Sequence, residues 1–315
     1  MTMILVGVDA SERSQDAVAL TLELARTTGA RVVVASVFAD DDVHTRADNA
    51  GDRLTLEGDA RNVAQRLSEP LTELGDERVE LRTIARTSPP HGLHDLAEAE
   101  GAAIIVVGSS HTGRLGRVLP GSTGERLLHG APCAVVVVPL GYRATVHELL
   151  RIGVADDGSP EARSALRAAT ELTLATGGEL QVIRVQPEIV TIAASPDAVG
   201  AYGAMREAVN RDARHALDEI VDAVEPGAHA RAVFLEGNPA TRLAEASREL
   251  DLLLTGSRSY GPLRSVLVGG VTGPLLRDAH CPVLVIPRGV EARLGDLLAE
   301  FVATPSESHA AQRTS

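Results

Sequence analysis

Aromatic side chains are nearly missing from this chain. They make up 2% of its 315 residues, and there is no tryptophan. The core must therefore be filled by valine, leucine, isoleucine and alanine, a composition that suits central parallel strands covered on both faces. Cysteine is almost as scarce. Cys133 and Cys281 are the only two, too few for a disulfide framework, and both read as buried, unreactive thiols at the starts of apolar strands. No uninterrupted apolar run approaches the ~20 residues that a membrane span requires. The first nine residues lack the basic start and long apolar stretch of a secretion signal, so they read as a first strand and point to the cytoplasm. Positive charge is also in deficit: 30 Lys and Arg stand against 43 Asp and Glu, a net charge of −13. That balance argues against nucleic acid or an anionic membrane as the main partner.

What the chain does have is a repeat. An apolar run at 102–107 leads into Gly108-Ser109-Ser110-His111-Thr112-Gly113-Arg114-Leu115-Gly116-Arg117-Val118-Leu119-Pro120-Gly121-Ser122-Thr123, and a helical segment follows at 124–129. A strand that feeds a glycine-rich loop ending on a helix start is suited to anions, because glycines let a phosphate approach and first-turn N–H groups point at it. The arrangement returns from Thr255 to Thr272. Gly108 and Gly256 are 148 positions apart, and so are Gly121 and Gly269, Ser11 and Ser159, Cys133 and Cys281, and Pro139 and Pro287. Arg114, Arg117, Arg258 and Arg264 sit on these two loops, which in an acidic protein favours an anion nearby.

The periodicities fit one plan used twice. In the first unit strands are expected at 4–9, 32–37, 79–85, 102–107 and 133–138. Helices are expected at 12–28 behind Ser11, at 60–74 with a possible break at Pro70, behind Ser88-Pro89-Pro90, and after Gly121; residues 40–59 read as a loop or frayed helix start. The second unit repeats the order, with Ser159-Pro160 opening its first helix, an irregular insertion at 187–200, a long helix at 202–224 and a last strand at 283–286. The expected fold is α/β: two tandem, doubly wound, five-stranded and mostly parallel Rossmann-like sheets forming an internal pseudo-dimer, with the last strands paired edge to edge. The boundaries are 1–140 and 149–289, with a short linker between them. The tail, 290–315, holds a short amphipathic stretch at 291–301 and then a disordered end.

Val6-Gly7-Val8-Asp9-Ala10-Ser11, the glycine loop and Leu127-Leu128-His129-Gly130-Ala131-Pro132-Cys133 together resemble the universal stress protein family. So do Val154-Ala155-Asp156-Asp157-Gly158-Ser159-Pro160 and the run at 253–287. The resemblance covers all but the tail and implies ATP, with or without Mg2+, bound through a Gly-x2-Gly-x9-Gly-Ser loop. The first repeat reads Gly108-x2-His111-x9-Gly121-Ser122, and the second Gly256-x2-Ser259-x9-Gly269-Gly270, so the second glycine is replaced in both. If that position needs a left-handed backbone, His111 and Ser259 carry strain of about 1–2 kcal/mol. The resemblance further places Asp9 and Asp157 near adenosine and the backbone of Val37 and Val185 against adenine. Asp9 and Asp157 could equally cap the helices that follow them. Ser122 and Thr123 keep hydroxyls for phosphates, whereas the second repeat keeps only Thr272, so the first repeat is the stronger ATP candidate.

Catalytic equipment is not evident. Neither loop has a lysine, there is no Gly-x-Ser-x-Gly elbow, and no cysteine has an activating base. His91 and His94 lack a third ligand, so a metal site is not expected. The expectation is a stress-response or regulatory protein that binds an adenine nucleotide. A slow Mg2+-dependent ATP hydrolase and a nucleotide-independent protein-interaction module are the alternatives, and a homodimer of the whole chain stays open.

Overall fold

The computed structural model describes residues 2–39, 50–109, 118, 121–144, 148–188, 196–257 and 270–287. Its first half runs β1 (Met3–Val8), α1 (Glu12–Thr28), β2 (Arg31–Phe38), α2 (Ala50–Ser68), β3 (Val79–Ala85), α3 (Pro89–Glu100), β4 (Ile104–Gly108), α4 (Ser122–Leu128) and β5 (Ala134–Val138). The second half runs β6 (Arg151–Asp156), α5 (Pro160–Thr176), β7 (Glu179–Gln186), α6 (Pro196–Asp222), β8 (Ala230–Glu236), α7 (Pro239–Ala246), β9 (Leu252–Ser257), α8 (Thr272–Asp278) and β10 (Val283–Pro287). No helix among the described residues is long and apolar enough to cross a membrane.

All ten strands form one sheet in the order β3-β2-β1-β4-β5-β10-β9-β6-β7-β8. Within each half the pairs are parallel; the one antiparallel pair joins the halves, β5 to β10. Its register sets Val137 against Val283, Val136 against Leu284 and Val135 against Val285. Leu284 is the counterpart of Val136, and the outer pairs exchange counterparts, so a pseudo-twofold axis passes through the Val136–Leu284 pair. All six side chains are at most 2% exposed.

Strands buried on both faces alternate their side chains between two apolar layers. Ile4, Val6, Val32, Val34 and Ile104 pack under α1 and α2, and the same layer continues through Val136, Leu284 and Val154 to α5 and α6. Leu5, Val33, Ile105 and Val135 face the other way, toward α3 and α4, in a layer that continues through Val283 and Leu253 to α7 and α8. The layers therefore cross the seam without interruption. The edge strands β3 and β8 are partly exposed along their length, and they carry the charges Glu80, Arg82 and Arg231 that discourage further pairing. Polar contacts hold the linker and join the halves further. Buried Asp16 on α1 accepts from the linker N–H groups of Gly141 at 2.8 Å and Arg143 at 3.0 Å. Val118, fully buried, donates its N–H to the Ala279 carbonyl at 2.8 Å, so this residue is held by the second half.

Several boundaries differ from expectation. Helix α2 begins at Ala50, inside the stretch read as a loop or frayed helix start, and gives way at Glu69–Leu74 to a 3-10 turn containing Pro70. Its first turns show no apolar stripe because they have no core to face: Leu54 is 70% exposed. Helix α6 likewise starts at Pro196, within the expected irregular insertion. Ser11 makes no side-chain cap, whereas Ser159 accepts from the Ala162 N–H at 3.1 Å. Both cysteines are buried and neither forms a disulfide. The tail and its 291–301 stretch lie outside the described residues.

Gly108 and Gly256 have a structural role that the loop reading missed. A Cβ on Gly108 would sit 2.5 Å from the Arg13 carbonyl oxygen, and one on Gly256 would sit 2.6 Å from the Glu161 carbonyl carbon. Both contacts are with helix backbone, which cannot swing aside. These glycines let the first turn of α1 and of α5 press onto the neighbouring strand end, whatever binds nearby. Alanine at either position is expected to destabilise the protein by roughly 1–3 kcal/mol through overpacking. Urea unfolding of Gly108→Ala and Gly256→Ala measures this; midpoints equal to the wild type would contradict the close approach.

Candidate functional site

In each half the strand order reverses beside the first strand: β2 lies on one side of β1 and β4 on the other, and β7 and β9 flank β6 in the same way. Crevices form at such points, outside the carboxyl ends of parallel strands. Two clefts are found there. The first, about 310 Å³, is lined by Asp9, Val37, Gly108, Gly121, Ser122 and Thr123 among others. The second, about 590 Å³, is lined by Asp157, Val185, Gly256, Gly270, Val271 and Thr272 among others. Each cleft thus gathers residues singled out from one repeat. His111, Ser259 and Gly269 lie outside the described residues, as do Gly113, Gly261, Arg114, Arg117, Arg258 and Arg264.

The helix starts differ. Gly121 precedes α4 in an extended conformation, φ −77° and ψ 178°, which any residue can adopt, and Ser122 and Thr123 form the first turn. In the second half Gly270 and Val271 remain in a turn, and α8 begins two equivalent positions later at Thr272, which is buried. Two exposed-side hydroxyl positions therefore have no counterpart in the second cleft.

Neither aspartate caps its helix in the usual sense. Asp9 Oδ1 accepts from the Ser11 N–H at 3.0 Å, from the Ser11 hydroxyl, and from the Ser14 hydroxyl at 2.9 Å. Asp157 Oδ1 accepts from the Ser159 N–H at 2.9 Å. Both are Asx turns that fix the path from strand to helix. Burial pushes the Asp9 carboxyl up, but the bonds from Ser11 and Ser14 and the Arg13 charge outweigh it and hold the group below the ordinary aspartate value.

Two arginines at the clefts were not foreseen. Arg13 donates to Asp9 Oδ2 at 3.1 Å, to Ser11 Oγ at 3.1 Å and to the Ser109 carbonyl at 3.0 Å. In the second cleft Arg184 donates through Nε to Asp156 Oδ2 at 2.8 Å, through Nη2 to the same oxygen, and through Nη1 to the Ala213 carbonyl at 3.2 Å. Asp156 is 2% exposed, and its other oxygen accepts from the Gly158 N–H. The pair replaces Val8 and Ser36 of the first half. Its signal was visible, since a charge inside an apolar strand run demands a buried partner. Arg13 gave no such signal, because an arginine in a first helical turn usually belongs to a solvated face.

The sequence model of the universal stress protein family matches residues 1–139 and 149–287. A universal stress protein of Mycobacterium tuberculosis is 28% identical over 208 residues, 64% of this chain and 70% of its own length. One from Mycolicibacterium smegmatis is 27% identical over 298 residues, 90% of this chain and 96% of its own. Among solved structures, a universal stress protein of Archaeoglobus fulgidus superposes with a TM-score of 0.66 at 20% identity, covering 91% of this chain and 98% of the other. A functionally unknown protein of Pseudomonas aeruginosa gives 0.64 at 17%, covering 96% and 98%. At these identities the structures share the fold.

The depressed Asp9 titration has a defined sign. A carboxylate favoured in the folded state adds stability above its unfolded pKa and loses it as pH falls through the lower folded value. Asp9→Asn is therefore expected to flatten the acid limb of the stability curve below about pH 4. The difference should be small and reduced by salt, because the Asp9 side chain is 60% exposed. Melting temperatures of the two proteins across that range provide the check, and parallel curves would count against the bonded carboxylate.

Proposed function

The chain belongs to the universal stress protein family, and from that premise we propose that it is a stress-response or regulatory protein binding an adenine nucleotide in its two clefts. Residues 1–140 and 149–289 are the proposed binding units, one cleft each, and the cytoplasm is the proposed compartment. The observation that carries this reading is the convergence in the first cleft of Asp9, Val37, Ser122 and Thr123 at a switch point. Their chemistry suits the ligand: a carboxylate and strand backbone for the nucleoside, and hydroxyls with the Arg13 guanidinium for phosphate oxygens. For the triphosphate the first cleft is the stronger candidate. The second has more room but offers turn backbone and a buried Thr272 where the first offers two hydroxyls. One lost hydrogen bond to a charged phosphate costs about 1.5–3 kcal/mol, or about ten- to a hundredfold in affinity.

ATP at a hundredfold excess over its Kd is expected to stabilise the protein by about 2–3 kcal/mol per occupied site. Differential scanning fluorimetry with and without Mg2+, followed by calorimetric titration, tests this. Gly121→Val should remove the tighter binding event, because valine tolerates the extended backbone there and its side chain adds bulk at the cleft wall. Gly270→Val, where a Cβ meets nothing within 4 Å, should leave that event in place. No melting shift and no binding heat at millimolar ATP would favour a nucleotide-independent interaction module. Phosphate release requiring Mg2+ would instead identify a slow hydrolase.

A further inference from the structure

The halves carry opposite charge at one equivalent position beside the clefts. Arg13 lies in the first turn of α1, and 148 residues later Glu161 lies in the first turn of α5. The three contacts of Arg13 span a gap. Asp9 and Ser11 follow β1, whereas Ser109 follows β4, so one guanidinium straps together the two strands that bound the crevice. Its side chain is 15% exposed. A carboxylate has no N–H to give, and Glu161 cannot make such a strap; it is buried and does not line the second cleft. The strapped cleft measures about 310 Å³ and the other about 590 Å³.

We infer that Arg13 makes the first cleft selective for phosphorylated ligands, while the second accepts the nucleoside with or without its phosphates. This rests on the reading of both clefts as adenine-nucleotide sites. A ligand entering the first cleft must draw Arg13 away from a carboxylate and a carbonyl. Phosphate oxygens can replace both acceptors in the fork geometry that guanidinium favours. A neutral nucleoside offers no anionic acceptor and would leave those donors uncompensated, the costly half of any hydrogen-bond exchange. Ser122 and Thr123 line the same cleft and offer hydroxyls to the same phosphate chain. In the second cleft the arginine among the described lining residues, Arg184, is bound to Asp156, and Asp157 adds a further carboxylate. Among the described lining residues no guanidinium straps the strand ends that bound this crevice, so none has to be displaced before a nucleoside enters.

Calorimetric titration of the full chain with ATP and with adenosine separates the outcomes. The wild type is expected to take up two ATP but one adenosine per chain. Arg13→Ala should take up two adenosines, and its first-cleft affinity for ATP should fall by about tenfold or more. Arg13→Lys keeps the charge but cannot bridge three acceptors, so it should also admit the second adenosine while losing less ATP affinity. It serves as the test if the alanine variant fails to fold. Two adenosines bound by the wild type, or an unchanged preference in the variants, would overturn the inference while leaving nucleotide binding intact. Failure of both ligands to bind the wild type would overturn the two together.

Discussion

The antiparallel pairing of β5 with β10 is the contact on which the rest of the molecule depends. Each half alone would end in a five-residue strand of almost pure valine, leucine and isoleucine with an unpaired edge. Burying a valine or leucine side chain is worth roughly 1.5–3 kcal/mol, and six of them meet at this seam. The pairing also hides two rows of backbone donors and acceptors that would otherwise recruit another chain. Because both apolar layers run straight through it, the seam behaves as sheet interior rather than as a docking surface.

From that pairing follows the placement of the clefts. Parallel strands within a half put one cleft at their carboxyl ends, and the antiparallel seam reverses the direction for the other half. The two clefts therefore open at opposite strand ends of one sheet. Within each, the limiting constraint is the helix that follows the first strand. Gly108 and Gly256 allow it to approach, an Asx turn sets its direction, and the side chain at the second helical position is free to change. Arginine in one half and glutamate in the other satisfy the same backbone.

Much of this was legible in the sequence, for reasons that can be traced to particular residues. The constant spacing of Gly108 with Gly256 and of Cys133 with Cys281 exposed the duplication, and the apolar content of 133–138 and 283–286 implied strands that needed covering. The starts of α2 and α6 were not legible, because residues such as Leu54 project into solvent and leave no periodic stripe. A second role of Gly108 was not legible: besides lining the cleft, the glycine makes room for Arg13 backbone, a contact nearly a hundred residues away in sequence. Arg13 itself was passed over for the same reason, since its partner Ser109 becomes a neighbour only once β1 and β4 pair. Local patterns reported elements and their repetition; what each side chain reaches across the crevice depended on the sheet order.

The bond from Val118 to Ala279 bears on how the protein can be dissected. It places the backbone partner of Val118 in the second half, at the end of α8. A fragment cut at the linker would keep every residue of its cleft and still lack that partner. The repeat is modular as a sequence, but the described fold is one object that needs both halves.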